Sequence, residues 1–351
     1  MLRLFLVLSL AVVAVPAATS APQAASFDCS KASSFFETAI CGDPPLSASD
    51  ETLAVAYATA IGGLSREAAD RLRAEQRRWL DFASRVCTTD GEPMNRDNFP
   101  IGEEVYHINC LLSEFSSRVE VLESSRMIEG LRIVPVSAYA VFIDPETGTG
   151  DAGHVGNQSY SAPRIDSQST EAKTFNALID AELGDFAITL VAAGMAGNGL
   201  PTGSDEGVSL AIKEVLPSRI TVERNDSFYG HGAAHGQYSI TYLHFLRNEQ
   251  RALTAEDMFV GETWKLALVK EVTDEIHRQI AAEDLMLGEG FDLTPTITNP
   301  RNWDFTDRAL IVQFQPYEIS AYAYGAPTIS VPWTALTAIL NENAATISSG
   351  Y

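Results

Sequence analysis

The chain has 351 residues and carries 24 Lys and Arg against 46 Asp and Glu, a formal charge of −22. Residues 1–130 hold 11 basic against 18 acidic residues (−7) and residues 131–351 hold 13 against 28 (−15). Both halves would repel a phosphate backbone, so nucleic acid is excluded as a partner, and the length is enough for two domains with cores of their own.

The chain opens with a leader, residues 1–21. Arg3 supplies a thin positive start, Leu4 to Val15 an apolar run, and Pro16 to Ala21 a small-residue cleavage zone. The apolar run is too short to span a bilayer, which takes about 20 apolar residues. No later segment is long and apolar enough, so the mature protein is expected to have no membrane span and to be periplasmic or secreted. All four cysteines, Cys29, Cys41, Cys87 and Cys110, fall in the first third. In an exported chain an even, clustered set reads as two disulfides. Three pairings are open, and the two nearest-neighbour pairs are favoured.

Residues 27–129 read as a helical module. Ser49 is read as the cap of a helix with Leu53, Ala56, Tyr57 and Ala60 on one face, ended by Gly62-Gly63. Ser65 opens a longer helix through Cys87, its apolar stripe formed by Leu72, Trp79, Ala83 and Val86. A polar loop with Gly91, Pro93 and Pro100 follows, then a last helix over Glu103–Glu129 with Cys110, Phe115, Val119 and Leu122 inward. Trp79 and Tyr57 read first as core residues.

These residues resemble a family. Glu37-Thr-Ala-Ile-Cys41, Pro45-Leu46, Asp50, Leu53 and Tyr57 are similar to the opening of the LprI-like lysozyme-inhibitor domain (DUF1311). Gln76-Arg-Arg-Trp79, Cys87, Cys110-Leu111, Arg118 and Leu122 continue the pattern, which covers about 27–125. One departure is Ala83, where the family usually has an Arg, with Arg85 two positions later. The resemblance implies a lysozyme-like partner, with Glu37, Asp50, Tyr57, Arg78 and Trp79 as candidate contacts.

The periodicity changes over 131–351. Ser137–Asp144 reads as a strand. Thr170–Phe186 reads as a helix with Phe175, Leu178, Ile179 and Leu183 inward. Gly203–Gly207 reads as a loop, and Arg219–Tyr229 and Gln237–Arg247 as paired strands across a Gly/His turn. Thr263–Leu285 is expected to be the longest helix and Gly288–Asn299 a loop. Arg308–Gln315 and Thr328–Val331 are short strands, and Trp333–Leu340 a closing helix. Strands and helices do not alternate strictly, so the expected class is α+β: a small disulfide-tied all-helical module, then an α+β domain with a mainly antiparallel sheet.

This half is similar to the extracellular RsiV-type domain, the DUF3298 family. The resemblance rests on Gly232-Ala-Ala-His235, Thr254-Ala-Glu-Asp257-Met-Phe259, Phe314-Gln-Pro-Tyr317-Glu318, Ala323-Tyr-Gly325 and Ile329-Ser-Val-Pro332. Ser161-Ala-Pro-Arg-Ile165 and Phe175-Asn176 are similar to DUF4163, which often precedes it. Such domains occur on lysozyme-sensing anti-sigma factors and beside peptidoglycan deacetylase domains, which implies protein binding or an accessory role. His235, Tyr317 and Glu318 are the candidate positions.

Enzyme signatures are weak. His231-Gly-Ala-Ala-His235 has the spacing of a metal-binding pair, but glycines surround it and no third ligand is evident, so it reads as a hydrogen-bonded loop. Gly148-Thr-Gly150-Asp-Ala-Gly153 fits a dinucleotide fingerprint but Gly156 and Pro163 interrupt the required helix. Asp144, Glu146 and Asp151 follow no ordered calcium loop, and the pairs Asp304/Asp307 and Glu256/Asp257 read as turns and caps. No catalytic residue, cofactor or metal set is assigned. The sequence therefore points to an exported protein that binds or inhibits a lysozyme-like muramidase by covering its surface, with a peptidoglycan-related ligand as the other partner class. A cell-wall polysaccharide-processing or accessory protein of the metal-dependent deacetylase kind, using His231 and His235, is the alternative. An envelope interaction protein without lysozyme contact is the third reading.

Overall fold

A computed structural model of the protein describes residues 25–90, 100–101, 104–142, 156–196, 203–281 and 292–350. The leader, the glycine fingerprint of 148–153 and the carboxylates Asp144, Glu146 and Asp151 lie outside these residues.

Helix starts follow capping chemistry. Helix α1 (Phe35–Gly42) begins with a capping box in which Ser34 and Glu37 satisfy each other's backbone N–H groups. Helix α2 (Pro44–Ile61) begins five residues before the expected Ser49. Asp43 is its cap, accepting from the Leu46 N–H at 2.8 Å, and Pro44 at the first position loses no hydrogen bond. Ser65 caps α3 (Arg66–Val86) as its position suggested. Helix α4 (Ile108–Glu123) is shorter at both ends than expected, because the flanking residues enter strands. Between α3 and α4, β1 (Thr88–Asp90), β2 (Pro100–Ile101) and β3 (Glu104–Tyr106) form a small antiparallel sheet in the order β1-β3-β2. Disulfides Cys29–Cys41 and Cys87–Cys110 tie the region, the favoured pairing. Its core holds Leu46, Leu53, Leu72, Trp79, Phe115 and Leu122, with the Trp79 ring edge-on to Phe115 at 5.1 Å.

A seven-stranded sheet follows. It is built from β4 (Met127–Ile128), β5 (Leu131–Phe142), β6 (Gly156–Ile165), β7 (Ser204–Val215), β8 (Arg219–Gly230), β9 (Gln237–Leu246) and β10 (Arg251–Ala252). The order is β10-β9-β8-β7-β6-β5-β4, and every pairing is antiparallel except β6 with β7. That parallel pair is joined by α5 (Thr170–Ala196), which spans 27 residues and breaks at Gly184, where φ is 49°.

Two strands depart from the sequence reading. Gly203–Gly207, read as a loop, contributes Ser204–Gly207 to β7. Its next residues, Gly207-Val-Ser-Leu-Ala-Ile212, alternate small and apolar side chains, the period of a strand with one buried face. Strand β6 survives Pro163 because Pro163 faces Pro135 across β5, outside the β6–β7 ladder that ends at Ser161–Ser209. Neither proline nitrogen is needed there as a donor.

The C-terminal unit contains α6 (Ala255–Met258), α7 (Trp264–Ala281), α8 (Thr294–Ile297), α9 (Trp333–Leu336) and α10 (Ala344–Ser349). These surround a sheet of β11 (Trp303–Phe305), β12 (Ala309–Gln313) and β13 (Thr328–Pro332). Helix α7 runs over the described part of the expected 263–285 helix, Trp264–Ala281, and residues 282–285 lie outside the described residues. Thr294–Ile297 makes one helical turn inside the predicted 288–299 loop. The expected closing helix stops at Leu336 because Ile339 and Leu340 pair with Val260 and Phe259. Phe259, Trp264 and Trp303 stack and cross at the centre of this unit.

Cross-strand register sorts the sheet into two faces. Val208, Leu210, Ile220, Val222 and Phe245 pack with Phe175, Ile179 and Leu183 of α5 in one apolar core. On the opposite face the helical region covers the β5 side and the C-terminal unit covers the β9 side. Beyond its pairing with β4, strand β5 presents an open edge, and α3 lies along it. The Glu75 carboxylate accepts the edge N–H of Ser137 at 3.2 Å. A helix placed there removes a strand edge that would otherwise template aggregation.

Candidate binding surfaces

The helical and sheet regions meet at Arg118, which is 1% exposed. Its Nε donates to Gln76 at 2.9 Å, and one Nη donates to Ser137 Oγ at 2.9 Å and to Tyr139 Oη at 3.0 Å. Helix α4 thus clamps β5 through a guanidinium, next to the buried Glu75. Burial is the main cause that raises the Glu75 carboxyl to about 7, opposed by the Arg118 charge and by the bonds from Ser137. Further pins join the regions. Arg132 donates to the Ala60 and Gly62 carbonyls at 3.0 and 2.9 Å, and Ser65 donates to Asp166.

The five candidate residues of the helical region fall in different surroundings. Glu37 is occupied by the capping box of α1, accepting from Ser33 and Ser34 N–H groups, which lower its pKa. Asp50 is buried and accepts from Ser26 N at 2.8 Å. Trp79 is 1% exposed and belongs to the core, against which Tyr57 packs half-buried. Arg78 is exposed.

The second set is partly assembled. The β8–β9 hairpin and the segment after β12 bring His235 Nε2 to 3.2 Å from Tyr317 Oη, while His235 Nδ1 lies 2.8 Å from the Gly236 carbonyl. The His235 ring stacks on Tyr322 with centroids 4.0 Å apart, and Tyr322 donates to the Gly236 carbonyl at 2.7 Å. Tyr317 has a φ of 70° and is 58% exposed; Tyr229, Tyr238 and Tyr324 are exposed around it. Tyr and exposed aromatics of this kind are enriched where proteins bind other molecules. Glu318 does not join them. One of its oxygens accepts the Gln315 N–H at 2.8 Å and the other accepts from Thr296 Oγ1, so it fixes the loop. Gln315 in turn bonds both backbone groups of Ile240 at 2.8 Å, holding the loop to β9.

His231 lies away from His235 in chemistry: its Nε2 is 3.0 Å from Asp205 Oδ1. Among the described residues no group of three or more His, Cys, Asp or Glu is placed to hold a metal ion. No described helix is long and apolar enough to cross a membrane.

Between α4 and the polar face of the sheet lies a cavity of about 730 Å³. It is bordered by Glu114, Arg118 and Val121 on one side and by Tyr238 on the other. A second depression of about 370 Å³ shares Asn157, Ser159, Gly207, Ser227 and Tyr238 with it and extends to Asp205 and Tyr322. The Glu114 carboxyl is raised to about 7, first by desolvation and then by the charge of Asp205. None of these floor residues is prominent in the sequence, because serines and a glycine become a floor only through strand register. The alternation over 207–212 was the one available signal.

Residues 29–122 match the family model described as lysozyme inhibitor LprI, and residues 256–334 match the model described as protein of unknown function, DUF3298. No curated protein matches the chain. Among solved structures, a DUF3298 family protein from Pseudomonas aeruginosa PAO1 aligns at 12% identity with a TM-score of 0.46. A DUF3298 family member from Bacteroides fragilis aligns at 16% identity with the same TM-score. Each alignment covers 63% of this chain and 98% of the other. The chain therefore carries one segment similar to the lysozyme inhibitor LprI family and a second segment similar to the DUF3298 family.

Proposed function

We propose that this is an exported, extracytoplasmic protein that binds a lysozyme-like muramidase and inhibits it by covering its surface. The observation that carries the reading is the match of residues 29–122 to the lysozyme inhibitor LprI family. Two disulfides fit an oxidising compartment, and residues 1–21 supply the expected export leader. The charge of −22 is complementary to a basic enzyme, and accelerates encounter in a salt-dependent way.

Of the candidate contacts, Arg78 on the helical region and the His235–Tyr317 pair on the sheet region are free to meet a partner. Glu37, Asp50, Trp79 and Glu318 act by holding the surfaces in shape. The mechanism is steric, with no bond made or broken. The test is titration of the mature protein into muramidases from several sources at low and high salt. Inhibition at micromolar concentration that weakens as salt rises is the expected result. Full muramidase activity across the panel removes the reading.

A further inference from the structure

Register places small polar side chains in rows across the sheet face opposite α5. One row reads Tyr139, Ser159, Gly207, Ser227 and Tyr238 across five consecutive strands. The next reads Ser137, Ser161, Ser209 and Asn225. Two tyrosines four strand spacings apart, about 19 Å, thus flank a floor three strands wide on which no side chain is larger than Asn. Gly207 keeps the floor low at its centre: a Cβ there would sit 2.7 Å from Ser227 Oγ and would require that hydroxyl to shift. Helix α4 walls one side and the Tyr238–Tyr322 pair the other, their rings crossing edge-on at 6.2 Å. Ser209 and Ser227 are exposed, so the floor is open to solvent.

We propose that this trench, running along β7 between the two covered ends of the sheet, is a binding site for a linear, uncharged oligosaccharide. Its 730 Å³ cavity lies within the roughly 300–1,000 Å³ typical of ligand sites, and it sits where separate parts of the fold meet. The floor offers hydroxyls and an amide, groups that both donate and accept, as a hydroxyl-rich ligand requires. Tyr238 and Tyr322 add aromatic surface on which the C–H face of a sugar ring packs. Glu114 and Asp205 are acceptors for hydroxyl or acetamide donors. An anionic chain is disfavoured by the charge of −22. An extended peptide is disfavoured because peptides add to sheet edges through main-chain bonds, and this is a face.

The site goes beyond the muramidase reading and is read out without any muramidase. The experiment is calorimetric titration of the full mature chain with two uncharged tetrasaccharides. One is the β-1,4 tetramer of N-acetylglucosamine and the other is cellotetraose, which lacks the acetamides. Saturable binding of at least one is expected. Tyr238→Ala should weaken it about tenfold, a loss of about 1.4 kcal/mol, and Ser209→Phe, which fills the trench from an exposed strand position, should abolish it. Circular dichroism of each variant reports folding, and wild-type muramidase inhibition by Ser209→Phe separates the two sites. No binding of either tetramer at millimolar concentration overturns the assignment. So does equal binding by wild type and the folded Ser209→Phe variant, or saturable binding of a basic peptide in place of both sugars.

Discussion

Glu75 and His244 are buried groups whose protonation equilibria pull stability in opposite directions with pH. Glu75 is raised from 4.5 to about 7, so it keeps its proton more firmly in the folded chain than in the unfolded one. Its contribution is full below about 4.5 and is lost as pH rises toward 7. His244 is lowered to about 3, chiefly by burial and then by the Arg219 charge. It therefore stays neutral, with Nε2 donating to the Trp303 carbonyl at 2.7 Å and Nδ1 accepting from Thr221 Oγ1 at 3.1 Å. Its contribution is full above 6.5 and is lost as pH falls toward 3. Glu75→Gln keeps an acceptor for the Ser137 N–H and removes the buried charge. It should raise stability at pH 8 by on the order of 2–3 kcal/mol and leave it nearly unchanged at pH 4, as measured by urea unfolding at the two pH values. Arg118→Ala has no such compensation. It strands Ser137, Tyr139 and Gln76 and opens a cavity between helix and sheet, and should cost about 3–5 kcal/mol at either pH.

At the scale of elements, the two disulfides close segments of 12 and 23 residues. Loop-closure entropy puts each at about 3 kcal/mol, so Cys87→Ser with Cys110→Ser should lower the urea midpoint by that equivalent and make the protein insensitive to further reduction at that bridge. Elements with a strong local signature were legible in the sequence. The stripe Leu72, Trp79 and Ala83 with Ser65 as cap announced α3, and the β8–β9 hairpin declared itself by alternation around a glycine-rich turn. Strand β7 was hidden because Gly207 and the serines around it score as loop residues, although their small size is what the polar face requires. Strand β6 was hidden by Pro163, whose harmlessness depends on facing Pro135 in the neighbouring strand. Of the candidate site, His235 and Tyr317 were legible as motif residues and do meet. The floor was not, since Ser159 meets Gly207 and Gly207 meets Ser227 only through strand pairing, across 48 (207 − 159) and 20 (227 − 207) residues of chain.

For the whole molecule, the helical region and the sheet share more than a linker. Arg118 bridges α3, α4 and β5, Glu75 satisfies the β5 edge, and Tyr139 and Val141 pack against the helical core. The Phe82 ring lies 5.1 Å from Tyr139, extending that contact. Burying a strand edge and two rings makes separating the regions costly on the scale of the roughly 5–15 kcal/mol by which domains are stable. Unfolding should then be one cooperative event for both, a property that tryptophan placement can test. Trp79 reports the helical core, and Trp264 and Trp303 report the C-terminal unit. With Trp79→Phe, urea curves followed by the remaining tryptophans should coincide with those followed by far-ultraviolet circular dichroism, which sees all helices. In Arg118→Ala the two probes should separate, because the clamp that couples α4 to β5 is gone while each core retains its own contacts. Coincident curves in that variant would mean that packing of Phe82 on Tyr139 is sufficient for coupling, and separated curves in the parent would mean that the regions unfold as independent units.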